Sequence, residues 1–239
     1  MKVFVKGKGE ENLDKRHFVS SGGEGSVYAK NGVAYKIYTK SSHVIPEAKM
    51  MELSKLSAPE IIKPEHMILT ADNKNTPIGY TMKFVQHTAP FCQLFTKTFK
   101  DRNNIKIDDI IELIRKFRIN VQHCHDKLVW IVDLNELNFL VNKDKFDTIY
   151  FIDVDSYMTR SFQASAIMDS IRDRHAKSFN DDSDWFSFGI ITFQMLTGIH
   201  PYKGKHNTYK TLDERMIHNI SVFNKDVSVP MTMTDPKQV

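Results

Sequence analysis

Ile131-Val132-Asp133-Leu134-Asn135-Glu136-Leu137-Asn138-Phe139-Leu140-Val141, with Phe151-Ile152-Asp153-Val154-Asp155 downstream, is the stretch on which the reading of this chain turns. Apolar residues surround a few acids and amides, so the pattern predicts buried backbone that presents selected polar side chains at strand ends. Asp133 and Asn138 are separated by four residues, and Asp153 closes the next apolar run. One aspartate can meet the proton of a hydroxyl. An asparagine and a second aspartate offer the oxygen ligands that a small hard cation prefers.

Upstream of this stretch the chain reads as strands. His17-Phe18-Val19 runs into Ser20-Ser21-Gly22-Gly23-Glu24-Gly25, and Ser26-Val27-Tyr28-Ala29 follows. Asn31-Gly32 then precedes Val33-Ala34-Tyr35-Lys36-Ile37-Tyr38, which predicts a type I′ hairpin because both turn residues need positive φ. Pro46 to Leu56 has the composition of a helix with proline near its start, and His66–Thr70 and Ile78–Val85 read as two more strands. After His87 the character changes: Asp108 to His125 sets Ile110, Ile111, Ile114 and Phe117 at helical spacing. The expectation is an α+β chain with a small antiparallel β lobe over residues 1–86 and a mainly helical lobe over 87–239, joined near 83–89.

Bulk properties narrow the partners. The chain has 239 residues, 41% hydrophobic and 26% charged, as expected of an ordinary globular protein. A net charge of +4 with dispersed lysines predicts no nucleic-acid footprint. The start, Met1-Lys2-Val3-Phe4-Val5-Lys6, lacks the long apolar core of a signal peptide, and the most apolar run, Phe186 to Leu196, is too short to span a membrane. The two cysteines, Cys92 and Cys124, fit a reducing compartment. A cytoplasmic protein without membrane attachment is expected. His123-Cys124-His125 has no partner pair at ligand spacing and reads as a helix end rather than a zinc site.

The glycine cluster could admit phosphates to backbone N–H groups, although alone it is an ordinary tight turn. With Val33-Ala34-Tyr35-Lys36 behind it and Asp133, Asn138 and Asp153 in order, the chain resembles the protein-kinase superfamily over residues 15–202. That resemblance implies a bilobal kinase-like fold with a shortened C-lobe, and the cofactors ATP and Mg²⁺. It implies that Gly22, Gly23, Gly25, Val27, Ala34, Lys36, Met82, Lys83, Val85 and Leu140 hold ATP, with Met82 as gatekeeper. Lys36 would pair with the phosphates and Glu47 would hold it in place, Glu52 being the second choice. Asp133 would orient and deprotonate the acceptor hydroxyl, and Asn138 and Asp153 would hold metal. Asp184-Trp185-Phe186-Ser187-Phe188-Gly189 would open the central helix, with Asp184 bracing the catalytic loop.

Departures from the pattern shape the functional expectation. Ile131-Val132 stands in place of His-Arg, which implies no need for a phosphorylated activation loop. Asn135 replaces a phosphate-contacting lysine, Ser20 replaces the first loop glycine, and no Ala-Pro-Glu occurs between Tyr157 and Asp184. Val154 and Asp155 replace the Phe-Gly after the metal aspartate. Asp155 either adds a carboxylate or caps the following turn, the turn being favoured. Arg172 and Arg174 could pair with Asp169, Asp181 or Asp182. The resemblance is to a divergent bacterial or phage branch, and it implies an ATP- and Mg²⁺-dependent serine/threonine protein kinase. A nucleotide-binding pseudokinase and a small-molecule phosphotransferase of the aminoglycoside- or choline-kinase type are the alternatives. The implied partner is a protein substrate, with Tyr157, Thr159, Ser161 and Ser165 as candidate points of self-phosphorylation.

Overall fold

Alternating burial begins with the first residues. β1 (Lys2–Val5) buries Val3 and Val5, and β2 (Gly9–Asn12) returns antiparallel to it after a turn through Gly7 and Gly9, both at positive φ. The computed structural model describes residues 1–164, 166–232 and 234–235. It divides into two units, one of Met1–Gln86 with Ile152–Asp155 and one of His87–Phe151 with the chain from Ser156 onward.

The first unit is a sheet with one helix. β3 (Phe18–Ser21), β4 (Gly25–Lys30), β5 (Val33–Tyr38), α1 (Glu47–Leu53), β6 (His66–Thr70) and β7 (Pro77–Lys83) complete it. The antiparallel strand order is β2-β1-β6-β7-β5-β4-β3. Asn31 and Gly32 both have positive φ, 52° and 78°, so the turn between β4 and β5 has the sign the Asn-Gly pair requires. On one sheet face Val33, Tyr35 and Ile37 pack with Val3, Val5, Leu13 and Ile68 to form the apolar core. The β1/β2 hairpin thus supplies core to the sheet.

The second unit is mainly helical. β8 (Thr88–Pro90), α2 (Lys97–Arg102), α3 (Ile107–Asp126), β9 (Val129–Trp130), β10 (Phe139–Asn142), β11 (Ile149–Phe151), β12 (Met158–Thr159), α4 (Asp181–Thr197) and α5 (Leu212–Ile217) follow in order. β10 lies between β11 and β8, and β9 pairs with β12. The buried stripe of α3 runs through Ile110, Leu113, Phe117, Val121 and Cys124, which corrects the expected face: Ile111 is exposed and Leu113 takes its place. Phe117 meets Phe139, Phe151 and Phe188 at ring separations of 4.9, 5.3 and 5.3 Å, tying α3 to β10, β11 and α4. Such aromatic pairs add roughly 0.5–1.5 kcal/mol each beyond their burial. α4 starts at Asn180, whose side chain accepts from Ser183 N, and stops at Gly198 with φ of 81°.

One boundary differs from the sequence reading, which assigned all of 87–239 to one lobe. Ile152–Asp155 groups with the first unit. The Asp153 and Asp155 side chains bond Lys36 and Tyr38 of β5 and Tyr80 of β7.

Candidate functional site

In the first unit the site is built on the sheet face opposite the apolar core. Pairing of β4 with β5 sets Val27 against Lys36, and pairing of β5 with β7 sets Ala34 against Met82 and Lys36 against Tyr80. Residues directly opposite or two apart along a strand share a face. Val27, Ala34, Lys36, Tyr38, Tyr80 and Met82 therefore line one side of the sheet. Lys83 follows Met82 at the end of β7 with its side chain exposed, and Val85 lies two residues beyond, half-buried.

Lys36 is the hub. Its Nζ donates to Asp153 Oδ1 and to Asp155 Oδ2, both at 2.7 Å, and lies 3.6 Å from a Glu24 carboxylate oxygen. Burial alone would lower the amine's pKa, but the charges of Asp155 and Asp153 outweigh it and hold the amine above its usual range. Asp155 is only 3% exposed. Tyr38 and Tyr80 donate their hydroxyls to it, each at 2.6 Å. Burial would push Asp155 up, yet Lys36 and the two phenols keep its carboxyl below the ordinary range. Asp153 goes the other way, raised first by burial and then by the neighbouring Asp155 charge. It sits at φ of 59°, a conformation that aspartate tolerates better than most residues. The lysine of α1 that faces this cluster is Lys49, buried, with its amine pulled down by desolvation.

The expected Lys36–Glu47 pair is corrected. Glu47 bonds Lys6 at 2.7 Å, and both side chains are more than half exposed. The inward face of α1 is set by Lys49, Met50 and Leu53. At 100° per residue Glu47 lies roughly 110° from the centre of that face, so the helix turns it outward. Lys36 instead pairs with Asp153, Asp155 and Glu24. The glycines separate as well. A Cβ on Gly25 would collide with the carbonyl of Ile37, whereas Gly22 and Gly23 have open space around them. Gly25 is thus required by strand packing, whereas a Cβ at Gly22 or Gly23 would meet nothing within 4 Å.

In the second unit the loop between β9 and β10 carries the other half of the pattern. Asp184, on the first turn of α4 and wholly buried, accepts from Ile131 N and Val132 N at 2.8 Å each. It also bonds His125 Nε2 at 2.9 Å, which makes that ring nitrogen the donor. His125 ends α3, so the His-Cys-His cluster is a helix end with a bracing role. Val132 is held at φ of 61°, a strained conformation for a β-branched residue that costs about 1–3 kcal/mol. The Asp184 bonds offset that strain and aim the next residue, Asp133.

Asp133 and Asn138 are brought together. Asn138 Nδ2 donates to the Asp133 carbonyl at 2.9 Å and to Asp133 Oδ2 at 3.3 Å. With its nitrogen turned that way, Asn138 keeps its amide oxygen as an acceptor. Met168 N donates to Asp133 Oδ1 at 2.7 Å. Asn135 is buried and its Oδ1 accepts from Leu137 N at 2.8 Å, so it shapes the loop. Leu140 lies half-buried on β10. Arg174 pairs with Asp169 at 3.3 Å and with Asp213, while Asp181 takes the Trp130 indole at 2.6 Å. Among the hydroxyls considered for self-phosphorylation, Tyr157 and Thr159 are buried and Ser161 is exposed. Ser165 lies outside the described residues.

Tyr38, Tyr80 and the structural weight of Asp155 were missed from sequence. The available signal was phenols at the lysine's own sheet position, two residues along and one strand across. Among the described residues no helix is long and apolar enough to cross a membrane.

No family model matches the chain. A probable serine/threonine-protein kinase of Dictyostelium discoideum is 28% identical over 137 residues, which is 54% of this chain and 10% of that protein. The chain therefore spans about a tenth of the length of the curated relative it matches. The similarity is weak and covers half of the chain, and what it points to is a distant kinase-like relationship.

Proposed function

We propose that the chain is an ATP- and Mg²⁺-dependent phosphotransferase, acting as a protein kinase on serine or threonine hydroxyls without activation-loop phosphorylation. In this reading the two units are the lobes of a kinase-like fold, and the protein works in the cytoplasm. The observation that carries it is the 2.7 Å bond between Lys36 and Asp153, a strand lysine and a left-handed aspartate joined across 117 residues of chain. The distant kinase similarity supports the same reading.

In this reading Asp153 would offer a carboxylate and Asn138 an amide oxygen to the cation, and Mg²⁺ prefers a few such oxygens completed by phosphate and water. When bound, the ion neutralises phosphate charge as it develops. The chain's own residues do the rest. Lys36 would bond the phosphates, and the N–H groups of Gly22 and Gly23 would approach them. Val27, Ala34, Met82 and Leu140 would contact adenine, which the backbone of Lys83 and Val85 would hydrogen-bond. Asp133 would orient the hydroxyl and take its proton on a carboxylate oxygen, with Met168 N at 2.7 Å and Asn138 Nδ2 at 3.3 Å holding the carboxylate in place.

A second reading, a nucleotide-binding module without transfer, is favoured by one observation: Lys36 engages both Asp153 and Asp155 and so closes the carboxylates against a cation. Incubation with Mg²⁺ and γ-labelled ATP plus a generic protein acceptor separates the two. The kinase reading expects label on the acceptor or the protein itself, and none with Asp153→Asn. Equal labelling by that variant removes the assignment, and Mg²⁺-dependent thermal stabilisation by ATP without any transfer supports the binding module.

A further inference from the structure

We propose that Asp155 is the positioning residue of Lys36, in the part the sequence reading gave to Glu47. Three donors converge on its two oxygens. Lys36 Nζ at 2.7 Å and Tyr38 OH at 2.6 Å meet Oδ2, and Tyr80 OH at 2.6 Å meets Oδ1. The carboxylate is buried, so every one of those donors holds it in place.

The support is rigid because it is built on paired strands. Tyr38 lies two residues from Lys36 along β5, and Tyr80 is the Cα partner of Lys36 across β7. The Lys36 ammonium also lies 5.3 Å from the Tyr38 ring and 5.8 Å from the Tyr80 ring, within cation–π range. The two phenols therefore steady the carboxylate by their hydroxyls and the ammonium by their faces.

The arrangement has a functional logic. Lys36 touches Asp153 and Asp155 at once, and only Val154 separates the two acids. A phosphate can take the place of Asp153 on Nζ, freeing Asp153 for the cation, while Asp155 keeps the ammonium where it is. Glu47 pairs with Lys6, and the close ion partners of Lys36 come from the Asp153–Asp155 segment. A lysine set by that segment needs no movement of α1 to become competent. The effect on ATP rests on the phosphotransferase reading; the anchoring of Lys36 does not.

The test uses the full chain as wild type, Asp155→Asn, Tyr80→Phe and Glu47→Gln, with two readouts. The first is the ¹H–¹⁵N spectrum of lysine ammonium groups without nucleotide, the Lys36 signal being assigned by its loss in Lys36→Met. The second is KM for ATP against kcat. Asp155→Asn should abolish the Lys36 signal and raise KM roughly tenfold or more with a smaller change in kcat, as loss of a charged contact predicts. A variant that merely unfolds a fraction of the molecules lowers kcat and leaves KM alone. Tyr80→Phe should shift the signal and raise KM less, and Glu47→Gln should leave both unchanged. If Asp155→Asn does not fold, Tyr38→Phe combined with Tyr80→Phe must displace the Lys36 signal. A Lys36 signal that survives Asp155→Asn, or is lost in Glu47→Gln, overturns the assignment. If wild type transfers no phosphate, the phosphotransferase reading falls and the ammonium spectrum alone still decides the anchor.

Discussion

Asp184 in the second unit and Asp155 in the first are both buried aspartates, satisfied by different kinds of partner. Asp184 takes two backbone N–H groups and a histidine ring. Asp155 takes a lysine and two phenols. A carboxylate bonded to backbone fixes the path of a loop, here the left-handed turn at Val132 that aims Asp133. A carboxylate bonded to side chains fixes the position of a charge, here the Lys36 ammonium. The first should therefore show itself mainly in stability and the second mainly in what Lys36 binds.

The largest expected effect breaks the first member of the comparison. Asp184→Ala leaves two buried N–H groups and His125 without their acceptor, and should cost about 3–5 kcal/mol of unfolding free energy in urea. A loss under about 1 kcal/mol would mean that the loop at Val132 holds itself. Next comes Tyr80→Phe, which removes one donor to Asp155 in a wholly buried setting and should cost about 1–3 kcal/mol by the same assay.

Acid stability sharpens the contrast. Asp155 is held below its unfolded value by Lys36 and the phenols despite burial, so its stabilisation is present above pH of about 4 and is lost as pH falls below that. Asp155→Asn should flatten that acid limb in a pH series of urea midpoints, whereas an unchanged limb would place the titrating stability elsewhere. The smallest effect belongs to Glu47→Gln. Its exposed pair with Lys6 should contribute less than about 1 kcal/mol, and the melting temperature should barely move.

What could be read from sequence follows the range of the interaction involved. The Asn31-Gly32 turn was legible because positive φ at two adjacent residues is a local demand. The bracing by Asp184 was expected from the family resemblance and the nearness of Asp133 to Asn138 from their spacing, and both contacts are present. Asp155 was left between an added carboxylate and a turn cap, the turn being favoured, since its partners Tyr38 and Tyr80 lie 117 and 75 residues away and only strand register brings them to one face. Glu47 was assigned inward from its place at a helix start. Burial of Lys49, Met50 and Leu53 instead decides which side of α1 faces in. The β1/β2 hairpin was overlooked although Val3 and Val5 alternate with more exposed neighbours, because four residues are too few to mark a strand without knowing what they cover.

The most direct test of the account is the single-turnover rate of γ-phosphate transfer at saturating ATP and Mg²⁺, compared between wild type and Asp133→Asn. Asp133 is half-buried and contributes one general-base carboxylate, so the variant should melt like wild type and transfer about 10²–10⁴-fold more slowly. Transfer by Asp133→Asn at the wild-type rate would contradict the account.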